Sequence, residues 1–120
     1  MSEITGLLSR MPVVPAGPAE RMYEKLVRSI AQFDEKLNDT QEVGARLINF
    51  GSETIHIEDV GFWGHELVKF YGTTSDGRPV ELLQHVSQIS VLLVALPIQP
   101  NKQPRRIGFE LVKDLEKKEH

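Results

Sequence analysis

The sequence predicts an α+β fold: one long amphipathic N-terminal helix packed on a mainly antiparallel sheet of about six strands. Three observations predict it. Between Pro18 and Leu37, the residues Ala19, Met22, Leu26, Ile30, Phe33 and Leu37 recur every three or four positions, the period that lines one helix face. From Val43 onward the period falls toward two, and β-branched and aromatic residues become frequent. The segments between these runs are short, and short connections join antiparallel neighbours.

The elements follow in order. Residues 1–17 read as an N-terminal arm broken by Gly6, Pro12, Pro15 and Gly17, whose Leu7, Leu8, Val13 and Val14 suit docking on a neighbouring surface. Residues 18–112 read as a single α+β domain. Pro18 fits the first turn of the helix, where its missing N–H is not needed, and Asn38-Asp39-Thr40 supplies turn chemistry at the other end. Glu20, Lys25, Arg28, Asp34 and Glu35 lie mostly off the apolar face. Strands are expected at 43–50, 53–59, 66–72, 79–84, 88–96 and 106–111. Gly51-Ser52 reads as a tight hairpin turn, and Ser75-Asp76-Gly77 as a stronger one, because Asp-Gly suits positive φ. Residues 99–104 form an exposed loop. Gln88–Leu96 is apolar on both faces after Ser90 and is therefore expected at the centre of the sheet. Residues 113–120 mix charges and read as a solvated tail, a short helix or a frayed end.

Composition narrows the function. The chain has 120 residues, 40% of them apolar and 26% charged, as in an ordinary globular domain. It has no cysteine, which excludes disulfides, thiol catalysis and cysteine-ligated zinc. A net charge of −3 argues against bulk nucleic-acid binding, which calls for a basic face. No apolar run reaches the roughly 18 residues needed to cross a membrane, and no secretory signal is visible, so a cytoplasmic location is expected. No G-x-G-x-x-G, Walker or G-x-S-x-G spelling occurs. No cofactor and no metal are expected, and the chain is read as a binder rather than an enzyme.

Four stretches carry candidate chemistry. His56-Ile57-Glu58 has the H-x-E spelling of zinc deaminases without the cysteine pair they require, so a solvated polar strand face is the better reading. Gly61-Phe62-Trp63-Gly64-His65 sets two aromatics in a glycine-flanked loop. Phe62 and Trp63 either stack on a flat ligand or fold back on the core. Gln84-His85-Val86-Ser87-Gln88-Ile89-Ser90 concentrates neutral hydrogen-bonding groups that suit the edges of a base or a ribose, or equally an internal network at a strand junction. On the expected last strand, Arg106 and Gly108 share a face where a phosphate fits beneath the guanidinium. The alternative is that Arg105 and Arg106 are surface arginines answering acidic neighbours.

Taken together, Glu42-Val43-Gly44-Ala45-Arg46-Leu47, His56-Ile57-Glu58-Asp59-Val60-Gly61, Phe70-Tyr71-Gly72, Leu83-Gln84-His85-Val86-Ser87-Gln88-Ile89 and Arg105-Arg106-Ile107-Gly108-Phe109 are familiar in this order. Over roughly residues 18–110 the chain resembles a small bacterial and phage family of unknown function, close to the phage anti-Thoeris sponge proteins of the first type. The resemblance implies non-catalytic sequestration of cyclic nucleotide immune signals, above all cyclic ADP-ribose isomers and also cyclic oligonucleotides. It implies a homo-oligomer, from a dimer up to a hexamer, with pockets at subunit boundaries. Carried onto this chain, Arg105 and Arg106 take phosphate. Gln84, His85, Gln88 and Ser90 take base or ribose, and Phe62, Trp63 and Tyr71 stack. The rival expectation is an oligomeric protein-interaction module.

Overall fold

A computed structural model of the chain describes residues 16–47, 53–98 and 102–118. Helix α1 spans Pro18–Glu35. Gly17 holds the extended position before it, and Pro18 opens its first turn. Helix starts leave N–H groups without partners. Here the Ala19 N–H donates to the His65 carbonyl at 3.0 Å, tying the helix to a distant turn. At the other end the Asn38 side-chain oxygen accepts from the Thr40 N–H at 2.9 Å and reverses the chain. The buried stripe is Ala19, Tyr23, Val27, Ile30 and Asp34. Met22, Leu26, Phe33 and Leu37 are half-buried beside it. The stripe is turned from the expected one because α1 has two neighbours, a sheet and a second helix. Asp34, expected off the apolar face, is buried.

The sheet has five strands, β1 (Gln41–Leu47), β2 (Thr54–Trp63), β3 (Leu67–Thr74), β4 (Pro79–His85) and β5 (Val91–Pro97), in the order β4-β3-β2-β1-β5. Every pairing is antiparallel. Ser75-Asp76-Gly77 forms the β3–β4 hairpin with Gly77 at φ +88°. The Thr74 hydroxyl donates to Asp76, and the Thr74 N–H donates to the Arg78 carbonyl at 2.9 Å. In a flat sheet, four strand spacings of about 4.8 Å would separate the two edges. Residues 86–90 bridge those edges, and Val86–Gln88 are wound into a 3-10 turn that advances only about 2 Å per residue. The sheet therefore curls, and α1 packs on its inner face with Val43, Ala45, Ile55, Ile57, Val60, Val68 and Phe70.

Three expectations are corrected. The run 88–96 does not lie at the sheet's centre: among the described residues β5 is an edge strand paired to β1 alone. Its two apolar faces reflect a strand in contact with the core on one side and left open on the other, since Leu92 is 48% exposed. The sixth strand at 106–111 is absent, and Ile107–Lys118 forms helix α2 instead. Ile107, Leu111 and Leu115 are buried at four-residue spacing, while Phe109, which completed the apparent alternation, is 70% exposed. The second strand does not stop at Asp59 but runs to Trp63. Residues 1–15 of the expected arm (1–17), the end of the expected first strand (48–50), the Gly51-Ser52 turn and residues 99–101 of the expected loop lie outside the described residues.

Helix α2 packs against α1 through Gly108. A Cβ there would sit 2.8 Å from the Ala31 Cα, so only glycine permits this approach. The same contact lets the Asp34 carboxylate accept from the Gly108 N–H at 3.1 Å, a cap for the α2 N-terminus supplied by another helix.

Candidate functional site: the parting of strands β1 and β2

Strands β1 and β2 pair through Gly44–His56, Ala45–Ile55 and Arg46–Thr54, and the pairing stops there. Continued in register, Val43 would face Ile57 and Glu42 would then face Glu58. Like charges directly opposite destabilise a ladder. The β2 register shifts between Ile57 and Asp59, so Glu58 is the extra residue of a bulge. Arg105 enters the opening. Its backbone N–H donates to Glu42 Oε2 at 3.2 Å, and its guanidinium lies 3.2 Å from Glu58 Oε1. His56 Nδ1 lies 2.7 Å from Glu42 Oε1 and donates to it, since a carboxylate only accepts. Two carboxylates, a histidine and an arginine are thus gathered where the strands separate.

Adjoining hollows surround this point. One of about 180 Å³ is lined by Glu42, His56, Glu58, Thr73, Lys102 and Arg105, among others. A second of about 330 Å³ is lined by Glu58, Asp59, Tyr71, Arg105, Glu110 and Asp114 with Leu111. A third of about 360 Å³ shares Asp59, Tyr71 and Asp114 and adds Tyr23 and Lys117. Lys69 sits 5.3 Å from the centre of the Tyr71 ring. The Tyr71 hydroxyl, with Glu81 beside it, holds the Lys69 ammonium above its usual pKa of 10.5. Among the described residues no three His, Asp or Glu side chains are placed to hold a metal ion.

The residues nominated from sequence fall into separate places. Tyr71 and Arg105 meet at the cleft. Arg106 does not share it. Its guanidinium donates to the Gln41 carbonyl at 2.9 Å, the Asn38 carbonyl at 2.6 Å and Asp34 at 3.3 Å. The shared face of Arg106 and Gly108 vanished with the strand that would have made it. Phe62 and Trp63 lie on a strand, not in a loop, and point to opposite faces. Phe62 packs on Tyr23 with ring centroids 5.2 Å apart, while Trp63 is 67% exposed. Trp63 and His85 lie at the far end of the sheet, each paired with Leu67. His85 Nδ1 accepts from the Ser87 N–H at 3.1 Å, the strand-junction role. Gln84 is on the opposite face from His85, with its buried Oε1 unpaired. Gln88 and Ser90 lie in the 86–90 connection.

The cleft also holds two groups outside the expected ligand set, His56 and Glu42. His56 is only 8% exposed, not part of a solvated face. The H-x-E spelling was its signal. The role of Glu42 depends on a strand register that no local pattern displays. A further hollow, about 380 Å³ between α1 and α2, is lined by Ala31, Leu37, Phe109 and Val112 together with the Asp34 and Arg106 groups already bonded to each other.

No helix among the described residues is long and apolar enough to cross a membrane. No curated protein and no solved structure matches the sequence. A family model does match, over residues 16–110, a span that takes in α1, the whole sheet and the start of α2. The chain belongs to that family, the family of unknown function DUF6173.

Proposed function

We propose that this protein captures an anionic cyclic nucleotide without turning it over, at the cleft where β1 and β2 part, and that a second copy of the chain completes the site. The observation that carries this reading is that a tyrosine ring and a guanidinium line one open hollow. Its volume of about 330 Å³ lies at the lower end of small-molecule sites. Arg105 is held by an exposed ion pair with Glu58. Exposed pairs are worth roughly 0–1 kcal/mol, but a phosphate that displaces Glu58 also faces the Asp59, Glu110 and Asp114 carboxylates lining the same hollow, so it needs cations beyond Arg105. Lys102 and Gln103 border the adjoining hollow and add a second cation and a neutral donor.

Magnitudes explain why a second copy is needed. Two charge-assisted contacts, from Arg105 and Lys102, add about 1.5–3 kcal/mol each, and one stacked ring adds about 1–3 kcal/mol. Nanomolar capture requires about 12 kcal/mol, so the roughly 4–9 kcal/mol from one chain falls short. The resemblance to anti-Thoeris sponges supplies the ligand class to try first, cyclic ADP-ribose isomers, and an anti-defence role in a phage or prophage setting. The test is mass spectrometry of small molecules released by heating the purified protein. An intact cyclic nucleotide supports the reading. A linearised or hydrolysed one makes the protein an enzyme and defeats it.

A second reading, a protein-interaction module, draws on a different surface. Trp63 and Leu83 are 67% and 49% exposed on the outer face near Leu67 and His85. A stoichiometric protein partner that is lost with Trp63→Ala would favour it.

A further inference from the structure

We infer that β5 is a self-pairing edge, through which two copies of the chain join their sheets about a two-fold axis. The two edges of the sheet differ in chemistry. Strand β4 opens with Pro79 and carries Glu81 and His85 on its outer face, the devices that discourage edge pairing. Strand β5 reads Val-Leu-Leu-Val-Ala-Leu-Pro, with no charge on either face. Among the described residues nothing pairs with its far side.

The hydrogen-bonding groups on that edge can be assigned. The Ile98 N–H donates to the Thr40 carbonyl at 3.1 Å, toward β1. Donors alternate along a strand, so Val91, Leu93 and Ala95 point their N–H groups away from β1, and Pro97 has none to point. Antiparallel pairing with Val94 opposite its own copy satisfies all three. Val91, Leu93 and Ala95 donate to the carbonyls of the partner's Pro97, the partner's Ala95 and the partner's Leu93. On the outer face Leu92 then lies beside the partner's Leu96. Every cross-strand pair is apolar, which a second copy provides by symmetry.

Arg46 neighbours Leu92, and Glu42 neighbours Leu96, on β1. Three strand spacings, about 14 Å, then separate each Arg46 from the partner's Glu42, so these charges do not oppose the pairing. A continuous ten-stranded sheet follows, isologous at its centre. The pairing is separate from the completion of the cleft invoked above, because β5 lies on the side of β1 away from β2, and it stands on β5 alone. A dimer that holds no nucleotide, or a nucleotide held by a monomer, separates the two ideas.

The chain lacks cysteine, so a single one reports its neighbours cleanly. Val94 facing its copy is a non-hydrogen-bonded pair, with Cα atoms about 4.5 Å apart, within disulfide range. Under mild oxidation Val94→Cys is expected to form a disulfide dimer. Leu92→Cys, about four residues out of register with its own copy, is expected not to. Ala95→Pro removes an outward N–H while leaving the β1 ladder whole. With its circular dichroism spectrum unchanged, it should weaken the dimer at least about tenfold by analytical ultracentrifugation. A wild-type protein that sediments as a monomer at tens of micromolar, or a dimer indifferent to Ala95→Pro, overturns the proposal. So does cross-linking of Leu92→Cys in place of Val94→Cys.

Discussion

Arg105 and Arg106 are neighbours in sequence and serve opposite ends of one structural problem. Arg106 is locked. Two backbone carbonyls and the buried Asp34 carboxylate take its donors, and the same carboxylate caps α2 through Gly108. Arg105 is open: half its side chain is exposed, and its guanidinium meets Glu58 at the rim of a hollow. The difference teaches that residue type does not decide between staple and ligand group. What decides is how many fixed acceptors the backbone places around each guanidinium. A staple's removal shows in stability, and an open group's removal shows in binding.

The contrast breaks most visibly at Asp34. Asp34→Ala removes the α2 cap and leaves Arg106 facing two carbonyls alone. It should cost about 2–4 kcal/mol in urea unfolding. A cost under about 1 kcal/mol would mean that the knot contributes little. Gly108→Ala attacks the same contact by steric means, because the new Cβ meets the Ala31 backbone rather than a flexible chain end. A loss of about 1–3 kcal/mol in the same assay is expected.

Arg105→Ala sharpens the other side. Its exposed ion pair predicts a stability change below about 1 kcal/mol, with a loss of affinity for cyclic nucleotide of at least about tenfold. A melt as damaged as that of Asp34→Ala would place Arg105 among the staples. The smallest effect belongs to the β3–β4 turn, far from both arginines in sequence. The Thr74 hydroxyl, and next the Arg78 guanidinium, hold the Asp76 carboxyl below its usual 3.8. A carboxyl depressed in the folded state stabilises it above that usual value, and the gain fades as pH falls through the lower folded value. Asp76→Asn should therefore lower stability slightly at neutral pH, where the ionised carboxyl contributes, and converge with the wild type below about pH 4, so that the acid limb flattens. An unchanged acid limb would contradict the assigned bonds.

Much of the fold is legible because it is locally encoded. The three-to-four-residue period of α1, the change of period at β1 and the Asp76-Gly77 turn all act within a few residues. The α2 segment reads as a strand because Ile107, Phe109 and Leu111 alternate, while Leu115, the residue that completes the helical period, lies among mixed charges. Its cap, Asp34, is on another element and cannot be seen locally. β5 was placed at the centre on the rule that apolar strands are buried on both sides, and a self-pairing edge has the same composition. At the site, Tyr71 and Arg105 were legible as chemistry. Glu42 and His56 were not, because their meeting depends on strand register. Gln84 and His85 were nominated together as neighbours in sequence, yet the strand pleat sends them to opposite faces.

The most direct test is isothermal titration of cyclic ADP-ribose isomers, and then cyclic oligonucleotides, into the full-length protein at micromolar concentration. The account predicts saturable heat with at least one of them, abolished or at least about tenfold weaker in Arg105→Ala and unaffected by Trp63→Ala. Absence of heat with every ligand, or binding that survives Arg105→Ala and disappears with Trp63→Ala, would contradict it.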